Sequence, residues 1–164
     1  EWHTVIPGQP FALTEHLSCV AFAIPLDKAP RFPTAATMEA TIGYRITDHF
    51  TGGTLVYAPG VQVITPQVLA AIEGCSCLLF DGTFWRDDEM IQLGVGTKTA
   101  RQMGHVPISG PGGSLEHLAP LPIPRKIYIH INNTNPILLE DTLERQIVKE
   151  HGFEVAVDGL ELEI

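Results

Sequence analysis

The sequence has little of three features that mark common protein classes: cysteine, positive charge and long apolar runs. Three cysteines in 164 residues are too few for a disulfide framework or a four-cysteine zinc site. There are 10 lysines and arginines but 19 aspartates and glutamates, which gives a net charge of −9, whereas a nucleic-acid surface needs clustered positive charge. No run approaches the roughly 18 apolar residues of a membrane span. These absences predict no nucleic-acid partner and no membrane partner.

The remaining composition is that of a folded globular chain. Hydrophobic residues make up 45% and charged residues 18%, and the length suits one domain with a sizeable core. Cys19, Cys75 and Cys77 are therefore expected to be small core residues. No signal peptide is recognisable at the start, so we expect a cytoplasmic protein. The chain begins at Glu1 without a methionine, and we expect it to be cut from a longer protein.

Strand and helix signals alternate along the chain, which favours an α/β layered domain. Strands are predicted at 18–24, 41–46, 54–58, 75–80, 125–131, 153–157 and 160–164. Helices are predicted at 66–73, 87–93, 97–103, around 115–118 and at 142–151, and Thr65 is expected to cap the first of them. A hairpin turn is predicted at 51–53, and a proline-containing loop at 29–37.

Three polar residues stand where α/β folds place function, at or near the ends of buried strands. Asp81 follows Leu78-Leu79-Phe80, and a carboxylate there can bind a metal or act as a base, or simply cap a helix. His105 lies on a loop and could be a catalytic group or a solvated side chain. His130 ends a strand and could be a metal ligand or a structural residue.

Five stretches together resemble the PqqB family of coenzyme PQQ biosynthesis proteins. They are DGTFWRDDEM at 81–90, GVGTKTARQMGH at 94–105, ISGPGG at 108–113, IHINNTNPIL at 129–138 and VDGLE at 157–161. The resemblance is dense from about Ile42 to the end of the chain, and its motifs are long and rich in rare residues.

This resemblance implies a metallo-β-lactamase-like αββα sandwich, of which residues 1–164 would be the C-terminal part of one domain. It implies a role in making pyrroloquinoline quinone (PQQ), as an iron-dependent hydroxylase of the tyrosine ring in a cross-linked Glu–Tyr precursor. The alternative that it implies is a non-enzymatic carrier that moves PQQ or its precursor toward the periplasm. The chain alone is expected to be inactive and to need the missing N-terminal half, or to form a homodimer.

The resemblance also suggests a ligand set. Asp81 and His130 would bind Fe(II), or Zn(II), and His105 would be a third ligand or an acid–base group; two histidines and one carboxylate suit non-haem iron. Polar side chains after the last ligand would orient the substrate or the ligands; they are Asn132, Asn133 and Asn135.

The layout is similar, in addition, to the phosphodiesterase branch of the same superfamily. Gly43-Tyr44-Arg45-Ile46, the acid of Asp81 and the two histidines match that branch in order. The branch has a Gly-Asp pair where this sequence has Pro59-Gly60, so a bridging carboxylate is missing. We therefore expect no two-metal hydrolytic site.

Overall fold

The computed structural model describes residues 3–26 and 41–164, and in these ranges seven strands form one sheet. The predicted loop at 29–37 lies outside the described residues. The strands are β1 (Pro10–Ala12), β2 (Leu17–Ile24), β3 (Thr41–Asp48), β4 (Thr54–Ala58), β5 (Cys77–Asp81), β6 (Arg125–Ile129) and β7 (Phe153–Val155).

Five short α-helices and one 3₁₀ turn connect the later strands. The helices are α1 (Pro66–Ile72), α2 (Glu89–Gln92), α3 (Ala100–Met103), α4 (Ser114–Leu118) and α5 (Leu143–Glu150), and the 3₁₀ turn is Pro136–Leu138. Thr65 caps α1, since its side chain accepts a hydrogen bond from the Val68 amide, and Pro66 follows at the first helical position. None of the helices in the described ranges has the length and apolar character needed to cross a bilayer.

The strands lie in the sheet in their sequence order, and the pairing changes from antiparallel to parallel halfway. β1 to β4 are antiparallel neighbours, whereas β4 to β7 are parallel neighbours joined through the helices. The predicted hairpin at 51–53 connects β3 and β4. Parallel strands end at the same edge of a sheet, so the residues that follow β5 and β6 are neighbours in space.

One face of the sheet carries the hydrophobic core. Buried strand residues pack there against one side of the helices; they are Val56, Leu78, Phe80, Tyr128 and Phe153 from the strands and Val68, Ile72, Leu115, Leu118 and Val148 from the helices. Side chains alternate along a strand, so Leu55 and Tyr57 of β4 flank Val56 on the opposite face, where Tyr57 is 39% exposed. A sheet with helices against one face is the α/β half-sandwich that was expected.

The predicted strand at 160–164 is wrong. Residues 156–164 form no strand, although their alternation of apolar and acidic residues is typical of one. Gly159 has a φ of +81°, which turns the chain away from β7, and a Cβ at Gly53 would lie 2.7 Å from the backbone of Ile164. The segment thus ends beside the start of β4 and does not pair at the sheet edge.

The prediction also missed β1, a three-residue strand that contains Pro10 and pairs Phe11 with Cys19. The cysteine prediction is confirmed, because Cys19, Cys75 and Cys77 are buried and free. Burial raises the pKa of the Cys75 thiol to about 11, which is typical of a thiol held in a core and not of a reactive one.

Candidate metal centre

Asp81 ends β5 and its side chain is completely buried. Each of its carboxylate oxygens accepts two hydrogen bonds. Oδ2 accepts from the Val61 amide at 2.8 Å and lies 2.7 Å from His105 Nδ1; Oδ1 accepts from the amide and hydroxyl of Thr83 at 3.1 and 2.6 Å. Burial raises the pKa of this carboxyl, but the neighbouring side chains of His105, His130 and Thr83 outweigh this effect, so the pKa lies below its usual value. Asp81 is therefore an ionised carboxylate inside the protein.

The turn after Asp81 needs glycine because it passes directly against β6. A Cβ at Gly82 would lie 2.7 Å from the Cβ of Tyr128, closer than two such atoms can approach. The Gly82 amide donates to the carbonyl of Ile129 at 2.8 Å, which extends the β5–β6 pairing by one residue. This close contact places Thr83 beside the residue that follows Ile129.

His105 reaches the carboxylate from the loop after α3. A capping box of Thr99 and Gln102 begins that helix, and Gly104 ends it with a φ of 96°. The His105 amide donates to the carbonyl of Ala100 at 3.0 Å. The imidazole is 17% exposed and forms an ion pair with Asp81 when it is protonated. The end of α3 thus places His105 beside the carboxylate of Asp81.

His130 follows β6 and has a left-handed backbone, with a φ of 57°. No other non-glycine residue in the described ranges has a positive φ, and such a conformation costs a β-carbon-bearing residue free energy. The imidazole is 53% exposed, and its Nδ1 lies 4.0 Å from Asp81 Oδ1. The nearby carboxylate of Asp81 raises the pKa of His130.

Thr83, which the sequence prediction did not select, lies at the centre of this group. Its hydroxyl oxygen is 2.6 Å from Asp81 Oδ1, 3.1 Å from His105 Nδ1 and 2.8 Å from His130 Nδ1. It also lies 2.9 Å from the carbonyl oxygen of His130. The only sequence signal for this role is the position of Thr83 two residues after a strand-end acid.

The structure brings together the three residues that the sequence analysis selected for metal chemistry. Asp81, His105 and His130 each offer one ligand-type atom, and these atoms lie within 4.8 Å of one another. Imidazole nitrogen and carboxylate oxygen are donors that both Zn²⁺ and Fe²⁺ accept. The donor set fits a divalent transition metal.

The three asparagines after His130 lie in different environments. Asn135 is 2% exposed; its amide donates to the carbonyl of Gly82 at 2.9 Å, and its oxygen accepts from the Ile137 amide at 3.1 Å. Asn132 donates to the Thr134 hydroxyl at 2.5 Å, and Asn133 is exposed. Asn135 therefore supports the Gly82 turn, and a substrate role for any of the three stays a prediction.

A buried carboxylate that sequence reasoning missed fixes the asparagine-rich loop. Glu89, 4% exposed, accepts hydrogen bonds from the Trp85 amide at 2.7 Å and the Thr134 hydroxyl at 2.5 Å. The helix predicted at 87–93 is α2, which begins at Glu89. The side chain of Glu89 additionally connects that helix to the loop after His130.

A cleft of about 430 Å³ opens next to His130. It is lined by the apolar residues Ile131, Leu138 and Val157 and by the polar residues Asn133 and Asp158. His130 is one of the lining residues, so a ring-sized group in this space would lie beside it.

Comparisons with known proteins agree with this fold. Residues 1–131 match the family model described as "Beta-lactamase superfamily domain". The chain is 53% identical over 123 residues to coenzyme PQQ synthesis protein B of Pseudomonas putida (strain W619), an alignment that covers 75% of this chain and 41% of that protein. It is 43% identical over 168 residues to the protein of the same name from Acinetobacter baumannii (strain SDF), covering 100% of this chain and 55% of the relative.

Among solved structures, the Zn(2+)-bound PqqB from Methylobacterium extorquens superposes with a TM-score of 0.89 at 40% identity. That match covers 99% of this chain and 55% of the solved one. The metallo-beta-lactamase fold protein YhfI from Bacillus subtilis, at 13% identity and a TM-score of 0.56, shares the fold alone. The chain thus spans about half the length of the relatives that it matches.

Proposed function

This chain belongs to the PqqB family of the β-lactamase superfamily, and on that premise we propose that it takes part in PQQ biosynthesis as the metal-binding C-terminal half of a larger domain. The observation that carries the proposal is the convergence of Asp81, at the end of β5, with His105 and His130 from two separate loops at one edge of the sheet. Two imidazoles and a buried carboxylate are a poor arrangement for stability alone, because burial of a charge is costly.

We propose that this group holds one divalent metal ion, with His130 as the most exposed donor. Zinc is the ion bound by the related protein from Methylobacterium extorquens, and iron(II) would be the ion for the proposed hydroxylation. An iron ion with open positions would supply oxygen activation. The residues of this chain would hold the ion, and His105, 2.7 Å from Asp81, would accept or donate a proton beside it.

The proposed reaction is hydroxylation of the tyrosine ring in a cross-linked Glu–Tyr precursor. One ring C–H bond becomes C–OH, the second atom of O₂ leaves as water, and an external reductant supplies two electrons and two protons. The cleft next to His130 supports this substrate class, since its apolar walls at Ile131, Leu138 and Val157 suit an aromatic ring.

We further propose that the active form requires the other half of the domain or a second copy of this chain. Tyr57 lies on the face of the sheet opposite the core helices and is 39% exposed. Leu55, on the same face of β4, is also apolar. Such a face is normally buried against a second sheet. We expect that this other half, or the second copy, also supplies the remaining ligands of the metal ion.

A non-enzymatic carrier of PQQ or its precursor is the second candidate function. The cleft beside His130 favours it, because a ligand could bind there without any reaction. A two-metal phosphodiesterase has less support: where the similar branch has a bridging carboxylate, the loop after β4 gives Asp81 only the backbone amide of Val61.

Two measurements separate these functions. Elemental analysis after metal reconstitution should find about one iron or zinc ion per domain in the wild type and far less in His130→Ala. Turnover should then be assayed with Fe(II), oxygen, a reductant and the cross-linked peptide, for this chain alone and for the chain combined with an N-terminal half. Hydroxylation by the combination only is the expected result. Tight quinone binding without metal-dependent turnover would instead establish the carrier.

A further inference from the structure

We propose that the hydroxyl of Thr83 is a positioning group that fixes the tautomer of His130, so that His130 binds the metal through Nε2. This inference rests on the proposed metal-binding function and specifies how the chain prepares for the ion. The reason is that the Thr83 hydroxyl has only one proton to donate, although it lies within hydrogen-bond distance of both Asp81 and His130.

The first step concerns Asp81, whose two carboxylate oxygens face the backbone amides of Val61 and Thr83 and therefore accept hydrogen bonds. The Thr83 hydroxyl has a single proton, and its shortest contact is with Asp81 Oδ1, at 2.6 Å. A hydrogen bond to a charged acceptor is roughly twice as strong as one to a neutral acceptor. The proton of Thr83 is therefore donated to Asp81 and not to the carbonyl oxygen of His130, 2.9 Å away.

The second step concerns His130. Its Nδ1 lies 2.8 Å from the same hydroxyl oxygen, which has no second proton to donate. A hydrogen bond at this distance requires Nδ1 to carry the proton and Thr83 to accept it. The neutral His130 then has its lone pair on Nε2, the nitrogen remote from Thr83. By the same reasoning His105, with Nδ1 2.7 Å from Asp81 Oδ2, also presents Nε2.

The third step concerns the space between the three side chains. The Thr83 oxygen lies 2.6 to 3.1 Å from Asp81 Oδ1 and from both Nδ1 atoms, so it already fills the position between them. An ion bound by those inner atoms would have to displace it. An ion bound by Nε2 of His130 would not, because that nitrogen is the one remote from Thr83.

The test uses two substitutions of Thr83 and one matched control in the purified chain. Thr83→Val removes the hydroxyl and keeps the shape, whereas Thr83→Ser keeps the hydroxyl. Thr134→Val removes another threonine hydroxyl that donates to a buried carboxylate, that of Glu89, without touching either histidine of the site. Imidazole ¹⁵N NMR of the metal-free proteins, in mildly alkaline buffer where a free imidazole is neutral, reports which nitrogen of His130 carries the proton. Competitive titration with Zn²⁺ measures metal affinity.

We expect a proton on Nδ1 of His130 in the wild type, Thr83→Ser and Thr134→Val, and a shift toward the Nε2-protonated form in Thr83→Val. Zinc affinity should fall by about 10- to 100-fold in Thr83→Val only, the range for groups that orient a ligand. An unchanged tautomer in a folded Thr83→Val protein would overturn the inference. If the wild type binds no zinc even when it is combined with the N-terminal half, the proposed metal function fails, and the NMR result still decides the role of Thr83.

Discussion

The backbone amide of Val61 donates a 2.8 Å hydrogen bond to the buried carboxylate of Asp81. Val61 follows the Pro59-Gly60 pair, at which the phosphodiesterase-like arrangement would need a second carboxylate. The loop after β4 thus supplies a neutral donor to the acid of β5 and no second metal-binding acid. This contact is one of the hydrogen bonds that stabilise the buried negative charge of Asp81.

Replacing Asp81 with asparagine should destabilise the protein as well as weaken metal binding. An asparagine amide group would face donors that now point at an oxygen, and one of them would be left buried without a partner. We expect a loss of about 2 to 4 kcal/mol in the free energy of unfolding, measured by urea denaturation of the metal-free protein. Zinc affinity should fall at least about tenfold. The exposed Asp158→Asn is the matched control, and equal stability of the two variants would argue against a special environment at Asp81.

The left-handed backbone of His130 predicts an unusual order of stability among its variants. At a φ of 57° a β-carbon costs about 1 kcal/mol relative to glycine. The free energy of unfolding of His130→Gly should therefore be about 1 kcal/mol higher than that of His130→Ala, although glycine normally makes a protein less stable than alanine does. Both variants should lose zinc binding. If the alanine variant proves the more stable of the two, the backbone at His130 is not strained.

Asn135 and Asn133 should differ sharply in their effect on stability. Asn135→Ala leaves the carbonyl of Gly82 and the amide of Ile137 without the side-chain partner that each now has, and we expect a loss of about 2 to 3 kcal/mol in unfolding free energy. Asn133 is exposed, so Asn133→Ala should change stability by less than about 0.5 kcal/mol. A larger loss for Asn133 than for Asn135 would contradict the scaffold role. An effect of Asn133→Ala on KM alone would support a contact with substrate.

The buried thiol of Cys75 predicts a loss of stability in alkali. Burial raises its pKa to about 11, above the value of about 8.5 for an unfolded chain. The protonated thiol is the form that the folded state favours, so its contribution is complete below about pH 8.5 and disappears as the pH rises through about 11. Unfolding free energies between these two values should fall by on the order of 2 kcal/mol more in the wild type than in Cys75→Ala. Parallel curves for the two proteins would refute the prediction.

Elements with strong local signals could be read from the sequence. The helix that begins at Pro66 after Thr65 was predicted with its cap, because a capping side chain and an N-terminal proline act within one turn. The strand Thr54–Ala58 was predicted with its full range. The segment at 160–164 alternates apolar and acidic residues. A strand also needs a neighbour with which to pair, and no local pattern shows whether that neighbour is within reach.

The sequence by itself determined which residues could carry metal chemistry: Asp81 and His130 stand at the ends of two apolar strands, and His105 follows a capped helix. Only the tertiary structure decided that the Thr83 hydroxyl lies between them and that Asn135 supports the turn at Gly82. The hydrogen bond between His130 and Thr83 joins residues 47 positions apart. Such contacts exist because β5 and β6 are parallel neighbours, and this pairing is a property of the whole sheet, not of any short stretch of the chain.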